Sequence, residues 1–293
     1  MTFRKILSPI DFSEGARDAM KAAARLAIQH GAELVICHAW YIPPMAFGSE
    51  FGYSAALVSG ANEDADRAVA AAVAEARSLG VAKVSSHVVS GPPWQQIVEL
   101  ATADPAIDLI VIGTHGRTGL SRMVLGSVAE MVVRHAPCSV LAVPKGVASA
   151  SFSHAVCAID FSDSSRLALQ TAFELVGGAN ASVELIHVIE PPRIYSEEPL
   201  ATDFDRNVIS SAEKLLREWA TMDRGTRETT FSIEVAIGQP KKELDRKLVG
   251  GTAFDLVALG SHGRTGLSRL FLGSVAEHMV RSAGRAVLVA RAR

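Results

Sequence analysis

Two segments of the chain, "GTHGRTGLSRMVLGSVAE" from residue 113 and "GSHGRTGLSRLFLGSVAE" from residue 260, set small residues at one shared spacing. In each, a glycine is followed after two residues by a second, and after nine more by a glycine and a serine. These are Gly113, Gly116, Gly126 and Ser127 in the first copy, and Gly260, Gly263, Gly273 and Ser274 in the second. Each copy follows an apolar run that reads as a strand and opens a run that reads as a helix. A helix start leaves backbone N–H groups unpaired, and its dipole favours negative charge. Glycine lets the main chain approach an oxyanion with no Cβ in the way. The chemistry on offer is phosphate binding through main-chain amides. A purely structural reading competes with it: Ser127 to Glu130 and Ser274 to Glu277 each spell an S-x-x-E capping box, which would account for the serine and the glutamate with no ligand.

A second repeated group lies far away in sequence. Asp11-Phe12-Ser13 and Asp160-Phe161-Ser162 each end the first apolar run of their half. A carboxylate repels phosphate but accepts hydrogen bonds from ribose hydroxyls, so an acid on one wall and amides on the other suit a nucleoside phosphate. The alternative is that Asp11 and Asp160 only cap the helix that follows. Within the glycine segments, Arg117, Arg122, Arg264 and Arg269 either swing onto phosphates or stay solvated, and His115 and His262 either touch the ligand or only order their loops.

The elements that must position these groups follow from the repeat. Over positions 113–135 and 260–282, six residues differ and seventeen are identical, so the chain is a duplication. Short β-branched runs alternate with amphipathic stretches in each half. In the first they are "FRKILSPI", "GARDAMKAAARLAIQH", "ELVICHAW", residues 61–79, "KVSSHVV", "PWQQIVELATA", "DLIVIG", residues 127–135 and "CSVLAVP". The second half repeats the order from "HAVCAID" to "RAVLVAR". Alternating strands and helices with near-continuous apolar strands predict an α/β fold, two tandem doubly wound five-stranded parallel sheets of order 3-2-1-4-5. In that order strands one and four are neighbours whose connections leave in opposite directions, and the crevice at their carboxyl ends brings the acid to the glycine loop. The expected domains are residues 1–146 and 152–293, joined across "PKGVASASFSH". The long segments "YIPPMAFGSEFGYSAALVSG" and "PPRIYSEEPLATDF" read as loops without assigned chemistry.

Composition narrows the classes. With 48% hydrophobic and 20% charged residues the chain has ample core material. A net charge of −2 provides no global basic field for nucleic acid or anionic lipid. No apolar run approaches the roughly 20 residues that span a bilayer, and the start lacks a signal-peptide core, so a cytoplasmic location with no membrane contact is expected. Cys37, Cys138 and Cys157 lie singly in apolar runs without metal-ligand spacing and read as buried, inert thiols. No metal site and no catalytic residue is assigned: the chain has no P-loop, nucleophile elbow or metal-spaced His/Cys cluster.

On these residues the chain resembles a tandem universal stress protein of the ATP-binding type, over almost its whole length. The resemblance implies a Rossmann-like, adenine nucleotide alpha hydrolase-like fold in each half and ATP, alone or with Mg²⁺, as the ligand. Its binding residues would be Pro9, Asp11, Phe12, Ser13, Ala39, Gly113, Thr114, His115, Gly116, Arg117, Gly126, Ser127 and Val128 in the first half. In the second they would be Asp160, Phe161, Ser162, Val188, Gly260, Ser261, His262, Gly263, Arg264, Gly273, Ser274 and Val275. Ala39 and Val188 would lie near adenine, and Ala158 replaces the proline that Pro9 supplies in the first half. The family also pairs through its last strands, which implies an intramolecular pseudo-dimer of the halves and allows a homodimer of whole chains. The function expected is a nucleotide-dependent stress regulator acting on protein partners, with at most slow ATP hydrolysis. The alternatives are a nucleotide-using hydrolase or ligase on a related fold, and an interaction module that binds no nucleotide.

Overall fold

The computed structural model describes residues 3–41, 55–114, 125–147, 152–178, 180–191, 203–249, 254–263 and 272–292. The chain divides into two compact units, residues 2–149 and 150–292.

In the first unit the strands are β1 (Lys5–Pro9), β2 (Glu33–Trp40), β3 (Lys83–Ser90), β4 (Ile107–Gly113) and β5 (Ser139–Val143). The helices between them are α1 (Glu14–His30), α2 (Ala55–Ser78), α3 (Pro93–Ala103) and α4 (Ser127–His135). All strand pairings within the unit are parallel, in the order β3-β2-β1-β4-β5. The second unit repeats it with β6 (His154–Ala158), β7 (Ser182–Ile189), β8 (Thr230–Ile237), β9 (Leu256–Gly260) and β10 (Ala286–Ala290). Its helices are α5 (Asp163–Leu175), α6 (Asp203–Arg224), α7 (Pro240–Val249) and α8 (Ser274–Ser282), and its order is β8-β7-β6-β9-β10, also parallel. The 3-2-1-4-5 order expected from the alternation is the order found.

The central strands are apolar on both sides because helices cover both faces. Ile6, Leu7, Leu34, Ile36, Leu109 and Ile110 are fully buried in the first unit. α1 begins because the Ser13 hydroxyl accepts the Ala16 N–H, and it stops at Gly31, whose φ of 64° closes the last turn. α3 begins at Pro93, where the missing N–H costs nothing. One element departs from expectation. α2 starts at Ala55, inside a stretch read as loop, since "AALVSGANEDA" carries alanine and leucine that extend the helix backwards. Residues 42–54 of that segment, and residues 192–202 of its counterpart, lie outside the described residues.

The Pro9-to-Ala158 difference leaves the main chain undisturbed. Ile10 N–H bonds Cys37 O and Ile159 N–H bonds Ile186 O, each at 2.8 Å. Cys37, Cys138 and Cys157 are all buried, and none of the three forms a disulfide. Burial pushes the Cys37 thiol up to about 12 and the Cys157 thiol higher still, so neither is a nucleophile at neutral pH.

Candidate functional site

The site grows from the carboxyl end of the first strand in each unit. After β1, Asp11 Oδ1 accepts the Ser13 N–H at 3.0 Å and the Ser13 hydroxyl at 2.6 Å. After β6, Asp160 Oδ1 does the same for Ser162, at 3.0 Å and 2.6 Å. The serines, not the aspartates, cap α1 and α5. Each aspartate braces a capping serine, which corrects the reading of Asp11 and Asp160 as helix caps themselves.

Between acid and serine sits a phenylalanine in an uncommon backbone state. Phe12 has φ of 62° and Phe161 of 64°, the left-handed region that a bulky L-residue avoids at a cost of about 1–3 kcal/mol. Each ring rests on a histidine from the second strand: Phe12 on His38 at 4.5 Å between centroids, Phe161 on His187 at 4.6 Å. Those histidines are buried, with Nδ1 at 2.8 Å from Ile10 O and 2.7 Å from Ile159 O. A carbonyl only accepts, so Nδ1 carries the proton in both. The repeated histidine pins the strained turn.

The opposite wall comes from the glycine segment. Thr114 N–H bonds Val143 O at 3.1 Å, and Gly126 N–H returns to Thr114 O at 2.7 Å. Ser261 and Gly273 repeat this with Ala290 O at 2.9 Å and Ser261 O at 2.8 Å. Thr114 and Ser261 are buried and close the base of the loop. The helix that follows is capped by Gly126 or Gly273, in each case without a side-chain hydrogen bond. Ser127 and Ser274 are the first helical residues and are exposed. The capping boxes suggested by S-x-x-E do not form: Glu130 pairs with Arg134 at 3.3 Å and Glu277 with Arg281 at 3.1 Å. Among the described residues, both helix starts therefore present amides with no side-chain cap.

The first glycine of each copy meets a packing constraint in addition to the role expected of it. A Cβ on Gly113 would come within 2.8 Å of Gly15 O and 2.9 Å of Gly15 C, and one on Gly260 within 2.8 Å of Ser164 C and Ser165 N. These glycines admit the first turn of α1 or α5 against the end of β4 or β9. The third glycine closes the loop, since a Cβ on Gly273 would meet Ser261 O at 3.3 Å. Gly263 is the one that meets the acid: a Cβ there would lie 3.0 Å from Asp160 Oδ2.

In the second unit these pieces enclose a cleft of about 760 Å³, within the usual range for small-molecule sites of about 300–1,000 Å³. Of the expected residues, Asp160, Phe161, Val188, Gly260, His262, Gly263, Gly273, Ser274 and Val275 line it. Ser162 and Ser261 stand behind it as helix cap and loop closure, and Arg264 lies outside the described residues. In the first unit Pro9 ends β1, Ala39 lies near the end of β2 and Val128 opens α4 beside Ser127. His115, Gly116 and Arg117 lie outside the described residues. Sequence reasoning missed one wall: Val208, Ala212 and Leu215 of α6 face the cleft beside Ser211, and Trp219 one turn on meets Phe161 edge to face at 5.5 Å. It also missed His38 and His187, although the same histidine recurs in "CHAW" and "IHVI".

Fold and cleft together define a class, a tandem of doubly wound α/β units with a crevice at the switch point of the sheet. The universal stress protein family model matches residues 2–144 and 151–291. The chain belongs to that family. A universal stress protein of Mycobacterium tuberculosis is 28% identical over 288 residues, spanning 94% of this chain and 90% of that protein. A universal stress protein of Methanocaldococcus jannaschii is 35% identical over 143 residues, 49% of this chain and 83% of that protein. The crystal structure of a universal stress protein from Archaeoglobus fulgidus shares the fold, with a TM-score of 0.70 at 18% identity and 99% of both chains covered.

Proposed function

We propose that this chain is an ATP-binding regulator of the stress response, taking one adenine nucleotide in each unit and acting through protein partners rather than turnover. The observation that carries this reading is the convergence in one cleft of an uncapped helix start at Ser274, a glycine at position 263 and the Asp160 carboxylate facing it. Triphosphate oxygens suit the unpaired amides at the start of α8. Ribose hydroxyls suit a carboxylate at the cleft wall, and Asp160 lines it. Adenine suits the apolar surface offered by Val188, Val208, Ala212 and Leu215. Mg²⁺ enters on the triphosphate oxygens, as it does where substrate phosphates supply its ligands.

Titrating the full chain with ATP·Mg by calorimetry tests this, with Asp160→Asn as the comparison. Asn keeps an oxygen for the Ser162 brace and removes the charge. Two binding events are expected in the wild type, one of them weakened in the variant. Phosphate release should stay below about 1 s⁻¹, the low end of enzymatic turnover. No heat of binding, or turnover at ordinary enzymatic rates, contradicts the reading.

A further inference from the structure

The two units differ at three positions of the turn beside the glycine loop, and one of the three bonds the loop in the second unit. "DFSEGAR" of the first aligns with "DFSDSSR" of the second, so Gly15 stands where Ser164 does. Ser164 Oγ donates to the His262 carbonyl at 2.6 Å. Ser162 Oγ also lies near that carbonyl, at 3.4 Å, and at 3.0 Å from Ser164 Oγ. A hydroxyl has one proton, and that of Ser162 is directed at Asp160 Oδ1 over 2.6 Å. Of the two serines, Ser164 is therefore the one that donates to the His262 carbonyl.

In a trans peptide the carbonyl and the next N–H point in opposite directions. With His262 O held toward α5 by Ser164, the Gly263 N–H points away from α5, and Gly263 itself lines the cleft beside Asp160. We infer that Ser164 is a positioning residue of the second cleft: its hydroxyl fixes the His262–Gly263 peptide so that the Gly263 amide faces the phosphate chain of the bound nucleotide. The first unit, with Gly15, has no hydroxyl at that place. The inference rests on the nucleotide reading above, and it goes further in assigning the amide's aim to one side chain outside the glycine motif.

The test compares wild type, Ser164→Ala and Ser164→Gly by calorimetry with ATP·Mg and separately with adenosine. The glycine variant reproduces the residue that the first unit already accommodates. Loss of an aligned amide should weaken ATP at one of the two sites about fivefold to tenfold, in both variants alike. Adenosine, having no phosphate, should bind within twofold of wild type. Unchanged ATP affinity, or an equal loss for ATP and adenosine, overturns the positioning role while leaving nucleotide binding intact. Absence of ATP binding in the wild type would instead remove the reading beneath it.

Discussion

Glu277 pairs with Arg281, 3.1 Å away and one turn further along α8, while Gly273 caps that helix with no side-chain bond to its amides. The sequence S-V-A-E thus spends its glutamate on a surface ion pair and leaves the helix start open. Glu277→Ala should lower stability by no more than about 0.5 kcal/mol, the worth of an exposed i,i+4 pair. Ser274→Ala should do no more than that in the free protein, where loss of a working cap would cost about 1 kcal/mol, yet it should weaken ATP binding at one site. Urea unfolding with and without nucleotide separates the two effects.

Gly113 and Gly263 belong to the same spacing pattern but should respond differently to a methyl group. Gly113→Ala drives a Cβ to within 2.8 Å of the Gly15 carbonyl oxygen, a backbone atom that cannot turn aside. We expect a loss of about 1–3 kcal/mol in the ligand-free protein. Gly263→Ala meets only the end of a carboxylate, at 3.0 Å, and should cost little stability while weakening nucleotide binding. Thermal unfolding alongside ATP titration of both variants checks this. Equal destabilisation by the two would remove the distinction.

The fold was legible because the duplication doubled every signal. Apolar runs such as "DLIVIG" and "FDLVALG" recur at matching places, and glycine and proline punctuation marks the helix ends at Gly31 and Pro93. The acid and the glycine loop could be brought together because strand order alone sets β1 beside β4. What stayed hidden depends on approach distances and torsions. No pattern in the letters says that Gly113 must also admit the Gly15 backbone, or that Phe12 takes a positive φ. The wall from α6 was hidden for another reason: Val208 and Leu215 face a cleft and look like any other apolar helix positions. His38 and His187 were findable, because the repeat places the same polar residue between apolar neighbours at matching places in two strands.

The second unit carries a pH-sensitive brace away from the cleft. Lys247 is paired with both Glu184 and Glu234, joining α7 to β7 and β8. The hydrogen bond from Lys247 holds the Glu234 carboxyl below its ordinary range. Burial opposes the charge on Lys247, but its bonds to Glu184 and Glu234 outweigh that and raise it. A depressed carboxylate contributes stability above its unfolded pKa of 4.5 and loses it as pH falls through the folded value. A raised amine contributes below its unfolded pKa of 10.5 and loses it as pH climbs through the folded value. The brace is therefore complete between those limits. Lys247→Met should lower stability at pH 7 by about 1–3 kcal/mol and flatten the acid limb of the stability–pH curve.

Trp219 gives the second cleft an optical reporter. Its ring meets Phe161 at 5.5 Å and has the Arg166 guanidinium 5.2 Å from its centroid, while Phe161 itself lines the cleft. Nucleotide binding should shift the emission of the chain, and Trp219→Phe should remove the part of that shift that comes from the second cleft, with Trp40 and Trp94 still in place. A full shift retained in the variant would show that the cleft beside Phe161 is not where the ligand sits.

The most direct measurement is native mass spectrometry of the full chain in ATP·Mg, which counts bound nucleotides one molecule at a time. The account predicts two per chain for the wild type, with occupancy of one selectively reduced in Asp160→Asn. A chain that stays free of nucleotide at millimolar ATP, or a variant whose two occupancies match the wild type, would contradict it.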